Sequence, residues 1–272
     1  MLTSKNAIIY AAGGSVAGAI AKGFAAAGAT VFLTGRTLAP VQKLADEIIA
    51  SGGRAHAAQV DALDADAVNE HLKMVIEKAG TVDISFNLID LNPVQGLPLV
   101  DMNVADFVRP VTIAMQSHFI TATAAGRMMM KQRSGVILSL TATSSGIGYP
   151  LTGAFSVACS AMECFSRSLA SEIGIYDVRV VNIRSAGSPD SRVFLEALGE
   201  NPNGMKMFLD QMAGDTMLKR LPLMADIANT AVFLASDMAK AITGVTVDVT
   251  CGTTAALNYK TTDEAKRLQA GL

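Results

Sequence analysis

Two rhythms of apolar and polar positions run through this chain. Short apolar runs of strand length fall at Asn6–Tyr10, Thr30–Thr34, Ala55–Val60, Val82–Leu88, Gly135–Leu140, Val178–Ile183 and Thr246–Val249. Between them lie stretches with apolar residues every three or four positions, which predict helices over Val16–Gly28, Leu38–Ala50, Ala65–Ala79, Ala105–Met130, Phe155–Ile173 and Asp226–Ser236. Val41, Leu44, Ala45 and Ile48 form one such stripe; Val68, Leu72, Val75 and Ile76 form another. Pro110 is the one residue expected to interrupt the long helix. Steady alternation of strand and helix is the sequence form of an α/β fold, a doubly wound parallel sheet of about seven strands with helices on both faces. Such a sheet holds its ligands at the carboxyl ends of the strands. Ser191–Arg220 follows neither rhythm, and residues 191–222 are expected to form a mobile insertion that serves as a substrate lid. No repeat or break in composition divides the chain, so residues 1–257 read as one domain, followed by a polar tail over 258–272.

Composition narrows the function classes. Half of the 272 residues are apolar, yet no run of about 18 uncharged apolar residues suggests a membrane span. A net charge of −2, with no basic stripe beyond Lys131–Arg133, argues against nucleic acid as a partner. The first strand starts almost at once, with no charged flank and apolar leader before it, so a cytoplasmic protein is expected. Cys159, Cys164 and Cys251 fit neither a disulfide framework nor a metal-ligand spacing and read as small buried hydrophobes; no metal site is expected. Met128–Met130, Met205, Met207, Met212 and Met217 read mainly as core. His56 and His71 read as surface residues.

Candidate chemistry begins at the first β-α-β unit, Lys5 to Arg36. Gly13, Gly14, Ser15 and Val16 turn the chain from strand into helix. A small-residue turn of this kind brings free backbone N–H groups and the positive end of the helix dipole up to a phosphate. The expected guest is a dinucleotide, and the fold expected is Rossmann-like.

The order of landmarks resembles the short-chain dehydrogenase/reductase family over nearly the whole chain. Ala19–Val31 is similar to the family's first helix and second strand, and Asp61 to the acid ending its third strand. Asp83–Asn87 resembles the strand that leads into its N-N-A-G motif. Ser185–Gly187 stands where the family has P-G, and Ile242–Asp248 resembles its I-T-G ending. The resemblance implies that Asp61 and Ala62 line an adenine pocket, that Asn87 lies by the adenosine ribose, and that Ser185 and Gly187 meet the cofactor. The family's T-G-x-x-x-G-x-G positions here read Tyr10, Ala11, Ser15 and Ala17. Ser15-Val16-Ala17 and the S-A-G loop are similar instead to the divergent enoyl reductases of the superfamily, in which a serine hydroxyl can bond the pyrophosphate. At the tip of the second strand an acid would hold the ribose hydroxyls of NAD; Gly35 and then Arg36 stand there, and the guanidinium fork suits a 2′-phosphate. NADP(H) is expected over NAD(H).

Carbonyl reduction in this family uses a tyrosine acidified by a lysine one helical turn away, with a serine on the substrate oxygen. Here those positions hold Phe155, Cys159 and Ala142, or Thr143 with a one-residue slip, and the family's supporting asparagine falls at Ala114. Three readings stay open: an atypical reductase of a small carbonyl or enone, a non-redox enzyme such as a cyclase or isomerase, and a nucleotide-binding regulatory protein. For the first, Thr141, Thr143, Ser144 or Ser145 orients substrate and Tyr149 supplies a proton. His118, four residues after Ala114 on one helical face, is a candidate acid or base. Arg184 and Asp190 flank the S-A-G loop, as ligand contacts or as a structural ion pair. The resemblance also implies a homodimer or homotetramer paired through Ala105–Met130 and Phe155–Ile173, with Ala122, Ala124, Ala125, Ala158 and Ala161 on their outer faces.

Overall fold

The computed structural model describes residues 1–255. Seven strands, β1 (Asn6–Tyr10), β2 (Thr30–Gly35), β3 (Arg54–Gln59), β4 (Ile84–Asn87), β5 (Gly135–Ala142), β6 (Val178–Ser185) and β7 (Thr246–Val249), form one sheet in the order β3-β2-β1-β4-β5-β6-β7. Every neighbouring pair is parallel. The order reverses between β1 and β4, so the crevice that opens beyond their carboxyl ends is where a doubly wound sheet takes its ligand.

Among the described residues, α1 (Ser15–Ala26), α2 (Leu38–Ala50), α3 (Ala65–Ala79), α4 (Val104–Gln132), α5 (Phe155–Ile173) and α8 (Met224–Ala235) cover the sheet, and α6 (Arg192–Glu200) and α7 (Pro202–Gly214) follow β6 outside that layer. The period-two alternation of the strands sorts them. Ala7 and Ile9 of β1 pack with α1, α2 and α8, whereas Ile8 and Tyr10 face the layer of α3, α4 and α5. Phe24 of α1 and Phe86 of β4 have ring centroids 6.4 Å apart and are both fully buried. Burying a side chain of that size stabilises by about 2–3 kcal/mol, which fixes α1, and with it the glycine turn, over the middle of the sheet.

Local signals set the boundaries. Asp64 caps α3 by accepting from the Asp66 and Ala67 amides, and Gly80 ends that helix at φ 82°. Asn103 caps α4 by accepting from the Asp106 amide.

Several expectations are corrected. Pro110 does not end α4, which runs through it; the ring costs the bond to residue 106 and crowds that carbonyl, and the long run of helix after it, packed on the sheet, carries the helix on. Ser191–Arg220 is largely helical, as α6 and α7, although neither helix buries a residue; that missing inward stripe is what made the segment look irregular. His71 is buried beneath α3, not on the surface. Ala122, Ala124, Ala125 and Ala158 face inward rather than outward; small residues there let α4 and α5 lie close to the sheet. Only Cys159 is a buried cysteine; Cys164 is exposed and Cys251 half-exposed. Met129 is core, whereas Met207 and Met217 are exposed. The tail assigned to 258–272 lies outside the described residues.

Candidate active site

Beyond the carboxyl ends of β1, β2, β3 and β4 lies a cleft of about 380 Å³, lined by Ala11, Gly35, Arg36, Asp61, Ala62 and Asp90 among others. Arg36 is exposed at its lip and makes no ion pair or side-chain hydrogen bond among the described residues. One oxygen of Asp61 accepts from the Leu63 amide at 3.0 Å, which fixes the carboxylate over Ala62. These groups suit an adenosine end. Asn87 is turned away from it: its Nδ2 donates to Thr121 Oγ1 (3.1 Å) and its Oδ1 accepts from the Ile89 amide (3.0 Å), so the side chain ties β4 to α4.

The turn that precedes α1 begins with Ala11 at φ 58°, a left-handed conformation that favours glycine. Gly14 is the cap of α1 with no side-chain bond to the free amides, and Ser15 and Val16 open the helix. Ser15 Oγ accepts from the Arg192 backbone N–H at 3.2 Å, which joins the first residue of α1 to the first residue of α6. Ser185 donates to its neighbour's carbonyl, that of Ala186. A Cβ on Gly187 would come within 2.7 Å of the Phe194 ring and 2.9 Å of Met212, so only glycine lets α6 and α7 fold down onto this loop.

The floor between β5 and α5 is apolar. Phe155, at the first turn of α5, packs against a cluster of Leu91, Ala114, Ala158 and Met162. Cys159 is buried, and that burial outweighs a hydrogen bond from the Ala142 backbone and pushes the thiol up to about 12; it stays protonated. Ala142, Phe155 and Cys159 thus supply neither a charge nor a basic group.

Charge reappears one turn further along α5. Glu163 accepts from Thr141 Oγ1 (2.8 Å), Ser145 Oγ (2.5 Å) and Arg184 Nε (3.1 Å) on one oxygen, and from Arg184 Nη2 (2.7 Å) on the other. Arg184 also reaches Asp248 at 3.1 Å. Burial pushes the Glu163 carboxyl up, but these hydrogen bonds and the guanidinium charge prevail and the net shift is downward. Arg184 is therefore part of a structural ion-pair network, and Asp190 accepts from the Met224 amide at the start of α8. Glu163 carries its own signal in the sequence: an acid in line with Cys159, Met162 and Ser166 on the inward stripe of α5 needs a buried partner.

Thr143 stands half-buried in the 3-10 turn that follows β5, with Ser144 buried beside it, its hydroxyl without a partner among the described residues. Tyr149 is half-buried on the same loop; burial and the nearby Asp215 charge both raise its pKa, so it is a neutral phenol. Thr141 has its hydroxyl committed to Glu163. His118 lies elsewhere, against a small cavity of about 10 Å³ with Ser85, Asn87, Thr121, Ser139 and Ser166, at the lower limit for one water. Its Nδ1 is 3.0 Å from the Ala114 carbonyl, and burial drives the imidazole down to about 4.

The model of the enoyl-(acyl carrier protein) reductase family matches residues 11–254. The chain belongs to the short-chain dehydrogenase/reductase family. This short-chain dehydrogenase/reductase is 30% identical over 259 residues to 7alpha-hydroxysteroid dehydrogenase of Escherichia coli (strain K12), covering 94% of this chain and 97% of that protein. It is 27% identical over 258 residues to 3-oxoacyl-[acyl-carrier-protein] reductase of Synechocystis sp., covering 92% and 97%. In fold it is similar to a short-chain type dehydrogenase/reductase from Mycobacterium ulcerans, with a TM-score of 0.86 at 22% identity over 100% of this chain and 99% of that one. The relatives are oxidoreductases, and this chain is a family member of that class.

Proposed function

We propose that this family member is an NADP(H)-dependent oxidoreductase that reduces a small enone or carbonyl substrate. The observation that carries the cofactor choice is Arg36 at the lip of the cleft, directly after Gly35, where an acid would be needed to bind the ribose hydroxyls of NAD. Bound NADPH supplies the hydride. Arg36 pairs with the 2′-phosphate, Asp61 and Ala62 bound the adenine, and the free amides at Gly13, Gly14, Ser15 and Val16 meet the pyrophosphate with the help of the α1 dipole. Ser185 and Gly187 border the inner end, and α6 and α7 cover it.

The apolar floor favours conjugate reduction over carbonyl reduction. A ketone must be protonated as the hydride arrives, and Phe155 and Cys159 cannot do it. An enone takes the hydride at its β carbon, needs only hydrogen bonds on the developing enolate oxygen, and is protonated afterwards. Thr143 is the donor for that oxygen, and Tyr149, held neutral, keeps a proton to give. Oligomerisation through α4 and α5 is supported by the exposed Phe107, Val108, Phe119 and Val157 on those helices, and work in the cytoplasm completes the proposal.

Thermal shift with each nucleotide tests this reading. At about a hundredfold excess over Kd, binding adds roughly 2.7 kcal/mol of stability; NADPH is expected to shift the transition well above NADH, and an enone panel is expected to consume NADPH. No shift with either nucleotide sinks the proposal. A second reading, a nucleotide-binding regulatory protein, is favoured by the packing of Phe155 on Leu91, Ala114 and Met162, and predicts a shift with no turnover on any substrate.

A further inference from the structure

Asp90 lies just past the end of β4 and lines the same cleft as Arg36 and Asp61. The next residue, Leu91, is buried in the apolar cluster with Ala114, Ala158 and Met162, against which Phe155 packs. Asp90 therefore stands where the adenosine cleft meets the apolar floor. Its side chain is exposed; one oxygen accepts from the Asn92 amide at 3.0 Å, and it has no ion-pair partner among the described residues. The Asn92 bond sets the rotamer and leaves the second oxygen uncommitted.

A carboxylate is an acceptor only, with about four lone-pair directions. Beside a phosphate it repels; beside a vicinal diol it accepts two O–H bonds, which is how an acid reads ribose elsewhere in doubly wound folds. In a dinucleotide the donor-rich stretch between the pyrophosphate and the nicotinamide ring is the inner ribose. On the floor that this joint borders, Cys159 is buried and protonated, and Phe155 packs in an apolar cluster, so no side chain of these two offers an acceptor for a hydroxyl.

We propose that Asp90 binds the diol of the inner ribose, a specificity-determining contact that this chain makes from the loop after β4. The proposal rests on the dinucleotide reading above. Asp90 also adds a negative charge to the cleft, so the charge-repulsion alternative predicts the opposite sign when that charge is removed.

The test is calorimetric titration of the full chain with NADPH and, separately, with adenosine 2′,5′-bisphosphate, which carries the outer half alone. Asp90→Asn keeps an oxygen for the Asn92 amide and removes the anionic acceptor; Asp90→Ser is the second variant, with a hydroxyl in place of the turn acceptor. Both are expected to weaken NADPH by about tenfold and the bisphosphate by less than about twofold. Equal losses for the two ligands, no loss, or tighter NADPH binding overturns the Asp90 contact while leaving the adenosine site intact. If the wild-type chain binds neither ligand, the dinucleotide reading itself fails, and the Asp90 contact fails with it.

Discussion

Thr141 and Arg184 face each other across β5 and β6, and both bond the same oxygen of Glu163. One carboxylate on α5 thus fastens two neighbouring strands and, through Ser145, the loop that carries Thr143 and Tyr149. Removing it leaves the guanidinium half-satisfied by Asp248. Glu163→Ala is expected to cost about 3 kcal/mol, the low end for breaking a buried ion pair, measured by urea denaturation. The Glu163 pKa is lowered in the folded state, so its contribution is present at neutral pH and fades as pH falls from the unfolded value of about 4.3 through the folded one. The variant should therefore lose less stability than the wild type on acidification through that window.

Arg36 meets the 2′-phosphate in the proposed complex and has no side-chain partner among the described residues. Arg36→Ala is expected to weaken NADPH by about tenfold to a hundredfold, the value of a charge-assisted bidentate contact, and to leave NADH unchanged. Parallel titrations with the two nucleotides check it, and an equal effect on both would remove the basis for the NADP(H) preference.

Ala11 pays for its left-handed backbone, φ 58°, with a Cβ that crowds the following carbonyl. Ala11→Gly relieves that strain and is expected to stabilise by about 1 kcal/mol, a rise in Tm of about 2–4 °C for a chain of this size. Differential scanning calorimetry reads it directly. A lower Tm would show that the turn tolerates alanine without strain.

His71 and His118 are both held neutral by burial, at about 4. An unfolded chain binds protons on both as pH falls below about 6.5, whereas the folded chain does not, so stability declines from there to about pH 4 and then levels off for these two groups. The decline is about 3 kcal/mol for each, and His71→Gln or His118→Gln should flatten it by its own share. Denaturation midpoints across that pH range give the measurement, and a parallel decline in the variants would refute the assignment.

Elements whose pattern is set by burial are legible in the sequence. α2, α3, α5, β1 and β7 run over the same residues as the apolar stripes and runs predict, and the small-residue turn at Gly13 and Gly14 leads from β1 into α1 as expected. Where tertiary contacts overrule the local pattern, the sequence carries no such signal. α6 and α7 have no buried face to announce them, and His71 is polar in a stripe that nonetheless turns inward. The site was half legible. Arg36 and Asp61 carry their chemistry in their position after a strand; Glu163 signals by its place on the inward stripe of α5 that it needs a partner but not which one, and Asp90 acquires its setting from the joint between cleft and floor.

The bond between Ser15 Oγ and the Arg192 amide uses the serine as an acceptor, and its proton has no acceptor among the described residues. A pyrophosphate oxygen that takes that proton polarises the hydroxyl and strengthens its hold on Arg192 rather than competing for it. The cover and the phosphate turn are therefore fastened together before any nucleotide is present, so a change that loosens α6 also loosens the first residue of the helix on which a pyrophosphate would rest.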